Sequence, residues 1–145
     1  MDRPVFRRAF LHPRFWPLWL GLGLLWLVVQ LPYGALLRLG RGLGWLMYLL
    51  AGSRRRIATR NLELCFPQMP AAKRRQLLKE NFASTGIAFF EMAMSWWWPR
   101  HKLARLAHIE GIEHLQQAQA QGQGVILMAV HFTTLEIGAA LLGQV

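Results

Sequence analysis

The sequence predicts an α/β fold that is mostly helical within this chain and follows an N-terminal membrane-spanning helix. Three patterns indicate this class. Residues 15–37 are apolar or uncharged, residues 71–96 repeat apolar side chains at steps of three and four, and residues 125–130 form an apolar run bounded by glycines. These patterns are typical of a spanning helix, an amphipathic helix and a buried strand, in that order.

Composition restricts the class of protein further. Of 145 residues, 54% are hydrophobic and only 17% are charged, with 17 Lys and Arg against 7 Asp and Glu. A disordered basic tail would be poor in apolar residues, and an ordinary soluble domain carries about 25% charged residues. We therefore expect a chain that meets a membrane, an anionic surface or both.

The positive charge is concentrated at one end of the chain. Residues 1–60 contain ten arginines and one acidic residue, Asp2, whereas residues 61–145 are close to neutral. The arginines flank apolar runs instead of following one soluble face, so nucleic acid is not an expected partner.

The uncharged run is long enough to span a bilayer. At about 1.5 Å per residue, residues 15–31 extend roughly 26 Å, close to the hydrocarbon thickness. Trp16, Trp19 and Tyr33 suit the two membrane interfaces. The alternatives are a cleaved signal peptide, which the absence of a small-x-small cleavage site disfavours, and a buried helix of a soluble core. The apolar stretch at residues 42–51 is too short to span a membrane, and it predicts an interfacial or re-entrant segment.

We accordingly divide the chain at residue 52. Residues 1–52 hold the basic N-terminus, the span and the interfacial segment, and residues 53–145 begin a second domain. Within the latter, helices are predicted over 54–65, 71–96 and 112–121, the last closed by Gly122. Glu91 is interpreted as part of a solvated helix face, and the Trp96–Trp98 cluster as a head-group anchor or a core element. One apolar stripe of the second helix predicts its packing face: Leu78, Phe82, Thr85, Phe89, Met92 and Trp96.

The apolar run at 125–130 is the one good strand candidate. A buried strand needs neighbours on both sides, and the sequence offers none. We therefore expect residues 53–145 to be the N-terminal part of a longer domain.

His131 and Glu136 follow this predicted strand directly, and they are the candidate catalytic residues. The carboxyl end of a strand is where α/β proteins collect functional groups. A histidine there could act as a base with a carboxylate orienting its ring, provided that the next helix begins after residue 131. The alternative is a capping box, in which Thr133 caps the helix and Glu136 returns to its amide. No metal-ligand spacing is visible.

Several segments together resemble the lipid A biosynthesis lauroyl acyltransferase family, over nearly the whole chain. They are Leu11-His12-Pro13-Arg14, residues 26–32, residues 60–67, Asn81-Phe82 through Glu91 to Pro99, and His131 to Glu136.

The resemblance implies a bacterial inner-membrane enzyme with one N-terminal span and a cytoplasmic α/β domain like that of glycerolipid acyltransferases. It implies transfer of a fatty acyl chain, lauroyl for the named family, from acyl carrier protein to a Kdo-bearing, anionic lipid A precursor. His131 and Glu136 match the family's His-x4-Asp/Glu pair, and no cofactor is expected beyond the thioester donor. Two alternatives stay open: an acyltransferase for a lysophospholipid or another glycolipid, and a non-enzymatic membrane-surface protein.

Overall fold

The computed structural model describes residues 6–130 and 132–143, and every regular element within these ranges is helical. Two short 3₁₀ turns, Arg8–Leu11 and Pro13–Phe15, precede the α-helices. The α-helices are α1 Trp16–Val28, α2 Tyr33–Leu50, α3 Gly52–Cys65, α4 Ala71–Trp97, α5 Arg100–Leu103, α6 Ile112–Ala120 and α7 Leu135–Leu142.

The predicted α/β class is therefore wrong for the described part of the chain. Residues 125–130 have no regular secondary structure, and all of their side chains are exposed. A strand is defined by backbone hydrogen bonds to a neighbouring strand. The described residues supply no such neighbour, so the apolar run has nothing to pair with.

The predicted membrane-spanning helix over residues 15–37 is also wrong. The helix α1 ends at Val28, and Pro32 stands at the N-cap of α2. Proline has no amide hydrogen to continue a helix, and it disfavours helical geometry at the residue before it. Across residues 6–130 and 132–143, no helix combines the length and the apolarity that a membrane crossing requires. Residues 42–51 are largely the second half of α2, and their place at a membrane interface stays a prediction.

Helices α2 and α4 form the central pair and touch through glycines. A Cβ atom added to Gly40 would lie 2.6 Å from the Cα atom of Ile87. One added to Gly86 would collide with the backbones of Gly40 and Gly44. Only the missing side chains permit such a close approach, so these glycines fix how the two helices pack.

Two hydrogen bonds fasten the corner between α1 and α2 to the end of α4. The indole Nε1 of Trp98 donates to the carbonyl of Val29 at 2.6 Å, and the Tyr33 hydroxyl donates to Glu91 Oε1 at 2.8 Å. Glu91 is only 4% exposed, so its interpretation as a solvated residue is wrong. Burial, followed by the hydrogen bond to Glu91 and its charge, raises the pKa of Tyr33 to about 12.

The core extends from this corner to α7. Ile137 and Leu141 of α7 are buried with Met94 of α4 and Leu103 of α5. Trp98 packs partly buried against the same core. Since Ile137 faces inward, the core holds the first turn of α7 against α4.

Candidate active site

Glu136 lies in the first turn of α7, and its side chain is exposed. The buried neighbour Ile137 anchors the turn that carries it. Glu136 forms no hydrogen bond or ion pair with any other described residue. Its carboxylate is therefore free to bind a ligand or to orient another side chain.

The predicted capping box is wrong. The N-cap residue of α7 is Thr134, not Thr133, and no side chain accepts a hydrogen bond there. The turn closes through its backbone, since the amide of Leu135 donates to the carbonyl of Phe132 at 3.1 Å. Glu136 is thus not engaged in capping.

His131, the predicted general base, lies outside the described residues. Its pairing with Glu136 stays a prediction. The helix α7 begins at Leu135, after position 131 in the chain. In one continuous helix, the side chains at positions 131 and 136 would point about 140° apart. Because α7 begins only at Leu135, this separation does not apply.

An apolar cavity of about 580 Å³ lies beside Glu136. We call it the apolar cavity. Its floor and walls come from α2 and α4, and the segment leading into α7 closes one side. The lining residues are Leu43, Met47, Thr85, Ala88, Phe89, Met92, Phe132, Thr133, Leu135 and Glu136.

This cavity explains a discrepancy in the predicted packing face of α4. Leu78 and Phe82 are buried as expected, but Phe89 is 44% and Trp96 54% exposed. In the second half of α4 the buried positions shift to Ala93 and Met94. The displaced members Thr85, Phe89 and Met92 line the apolar cavity, so half of the predicted packing stripe belongs to the candidate site. An apolar stripe at helical spacing was the only sequence signal for these residues.

A second cavity of about 530 Å³ shares Phe132 and Thr133 with the first. We call it the polar cavity because Glu80, Asn81 and Ser84 of α4 contribute to its wall. The remaining lining residues are Leu62, Phe66 and Leu77. The segment before α7 thus separates an apolar cavity from one with hydrogen-bonding groups.

Part of the basic charge has a structural role. The guanidinium of Arg55 donates to the carbonyl of Tyr48 at 2.6 Å and lies over its ring. Arg74 donates to the carbonyl of Met69, in the loop between α3 and α4. Arg54 and Arg56 remain exposed and available to an anionic partner.

The sequence matches the profile of a family described as bacterial lipid A biosynthesis acyltransferase, over residues 3–145. It is 49% identical to a lipid A biosynthesis lauroyltransferase of Escherichia coli K12, covering 97% of this chain and 46% of the relative. It is 46% identical to a palmitoleoyltransferase of the same pathway and strain (95% and 45% covered) and 32% identical to a myristoyltransferase (97% and 44%).

The chain spans about half the length of the curated relatives it matches. No solved structure matches it.

Proposed function

Because the chain belongs to the bacterial lipid A biosynthesis acyltransferase family, we propose that the protein containing it transfers a fatty acyl chain onto a lipid A precursor. The proposed donor is the thioester of acyl carrier protein, and the acceptor is a hydroxyl of a Kdo-bearing, anionic glycolipid. The 49% identity to a lauroyltransferase favours lauroyl as the chain.

The observation that carries this proposal is the carboxylate of Glu136, which has no partner among the described residues and lies at the edge of the apolar cavity. Side chains such as Leu43, Met47 and Met92 offer a hydrocarbon chain a surface that excludes water. An acyl chain lying there would place its thioester carbonyl towards the segment of residues 132–136.

In the proposed reaction His131 acts as the general base. It takes the proton of the acceptor hydroxyl while that oxygen attacks the thioester carbonyl, and an ester bond forms as the carbon–sulfur bond breaks. The proton then passes from His131 to the departing thiolate of the carrier. Glu136 would hold the imidazole in the correct tautomer and stabilise its charged form.

We further propose that α1 contacts the bacterial inner membrane, where such an acceptor resides, with the catalytic part on the cytoplasmic side. Trp16, Leu20 and Leu27 of α1 are exposed apolar side chains, and Arg8 and Arg14 precede or adjoin them. Apolar side chains next to arginine suit a surface of anionic lipid.

The proposal is tested with His131→Ala and Glu136→Gln in the full-length protein. The first should lower the rate of acyl transfer by roughly 10²- to 10⁴-fold, and the second by roughly 10²-fold. Glu113→Gln is the matched control, since Glu113 also lies exposed in the first turn of a helix, α6. Wild-type rates for both variants would refute the catalytic assignment.

The acceptor is tested separately by mass spectrometry of lipid A from cells that lack the gene. The expected result is a lipid A with one acyl chain fewer. An unchanged acyl count would exclude the lipid A precursor and favour a lysophospholipid or another glycolipid.

A further inference from the structure

The proposed acyl transfer does not involve the polar cavity, although this cavity meets the apolar cavity at Phe132 and Thr133. Acyl transfer needs two substrates that approach the same reacting atoms from different sides. A cavity that meets the acyl site at the residues just before Glu136 is placed to admit the second substrate.

The polar cavity offers hydrogen-bonding groups that are mostly without a partner among the described residues. Neither the Asn81 amide nor the Ser84 hydroxyl is hydrogen-bonded to another described residue, and Glu80 uses one oxygen to accept from Gln76 at 2.9 Å. Together these side chains supply both donors and acceptors. Neutral hydroxyl groups, such as those of a sugar, require this combination.

A third cavity, of about 220 Å³, is a neighbour of the polar cavity, since Leu62 lines both. Arg75 lies in its wall and makes no hydrogen bond or ion pair with the described residues. The neighbouring charges are occupied, since Glu63 pairs with Arg60 at 3.1 Å and Arg74 donates to loop carbonyls. Arg75 is therefore the cation in this wall that is available to an anion.

The lining changes from apolar in the first cavity to polar, with one acidic residue (Glu80), in the second, and the third contains the two arginines Arg74 and Arg75. We propose that the polar cavity binds the sugar of the acceptor through Glu80, Asn81 and Ser84, and that Arg75 binds a phosphate attached to that sugar. This inference rests on the proposed function, which it deepens by assigning the acceptor subsite. Helix α4 suits the task, because its other face is fixed against α2 by the glycine contacts.

The test compares equilibrium binding and transfer kinetics in the full-length protein. The acceptor probe is a phosphorylated disaccharide lipid in detergent micelles, used with and without its phosphate. A double variant, Asn81→Leu with Ser84→Ala, should raise both the dissociation constant and the KM of either form about three- to tenfold. The KM of the acyl donor should not change. Asn61→Leu, at an exposed asparagine of α3 outside the three cavities, is the matched control.

Arg75→Gln should weaken binding of the phosphorylated probe by roughly tenfold and leave the dephosphorylated probe unaffected, because only a charged acceptor gains from the guanidinium. Arg105→Gln, at an exposed arginine outside the three cavities, serves as its control.

The outcomes separate the subsite from the function. Weakened acceptor binding without any transfer by the wild type would support the subsite and overturn the proposed function. Normal acceptor constants in the variants of a transferring enzyme, or an altered donor KM alone, would overturn the subsite and keep the function. A wild type that neither binds nor acylates the probe would overturn both.

Discussion

Helices α2 and α4 and the segment 125–130 are all rich in apolar side chains, but only the helices bury one face of theirs. Met94 in α4 is fully buried, whereas Met128 in the segment is 96% exposed. The difference is not in composition. A helix satisfies its backbone hydrogen bonds within itself and needs a neighbour only for one face. A strand needs a neighbouring strand for its backbone as well, and the described residues offer segment 125–130 none.

The same difference separates the two sides of the candidate site. Helices α2 and α4, which form two walls of the apolar cavity, pack closely through glycine contacts. On the other side of the cavity, the side chains of Phe132 and Thr133 are exposed. Substitutions in the packed helices should therefore change stability more than substitutions in the exposed segment.

The first prediction makes the same substitution in both regions. Met94→Ala should lower the free energy of unfolding by about 2–5 kcal/mol, because it leaves a cavity in the core. Met128→Ala should change it by no more than about 0.5 kcal/mol, since its side chain touches little. Urea denaturation followed by circular dichroism measures both. Equal losses in the two variants would show that residues 125–130 are buried after all.

The second prediction concerns the close contact of α2 with α4. Gly86→Ala should destabilise the chain by about 2–3 kcal/mol, since the new methyl group meets backbone atoms that cannot move aside. Gly42→Ala is the control in α2, where an added Cβ meets nothing within 4 Å. There the higher helix propensity of alanine should stabilise the chain by about 0.5–1 kcal/mol. If both substitutions stabilise, the two helices are not in backbone contact.

The third prediction tests how the α1–α2 corner is fastened. Tyr33→Phe removes the hydrogen bond to Glu91 and leaves a buried carboxylate without a partner. The substitution should therefore lower the free energy of unfolding by about 1–2 kcal/mol. Tyr48→Phe keeps the ring contact with Phe82 and loses a hydroxyl that makes no hydrogen bond to the described residues. The control should therefore lie within about 0.5 kcal/mol of the wild type. Thermal unfolding compares the two, and equal midpoints would argue against the corner contact.

The smallest effect is a pH dependence. The pKa of Tyr33 is raised from 10.0 to about 12 in the folded chain, first by burial and then by Glu91. A raised pKa means that the folded state holds the proton more tightly, so this contribution is complete below pH 10.0 and is lost as the pH rises towards 12. Between these values the wild type should lose thermal stability more steeply than Tyr33→Phe. Parallel pH profiles of the two proteins would contradict the shift.

Local patterns predicted the helices well. The predictions for 54–65, 71–96 and 112–121 are confirmed to within about two residues by α3, α4 and α6. Gly122 closes the last with a positive φ of 67°, a backbone conformation that glycine adopts without strain. Periodicity and terminating residues are properties of a short segment, so no distant contact is needed to find them.

The candidate site was only partly predictable. Glu136 was identified from its place after an apolar run, and the structure puts it beside a cavity. Glu91 was misassigned, because nothing near it in the sequence indicates that Tyr33 covers it. Phe89 and Met92 looked like packing residues, since a stripe facing a cavity and one facing a core have the same spacing.

The amino-acid sequence alone indicated the helical segments, the family, and the place of an acidic residue, Glu136, after the apolar run. Those properties depend on residues close together in the chain and on the hydrogen bonds that a helix makes within itself. Only the tertiary structure decided which faces are covered, that Pro32 starts a helix which packs on α4, and that α2 and α4 form an apolar cavity beside Glu136. Burial and cavity shape depend on which distant side chains meet, and the spacing of residues along one helix carries no information about its partner.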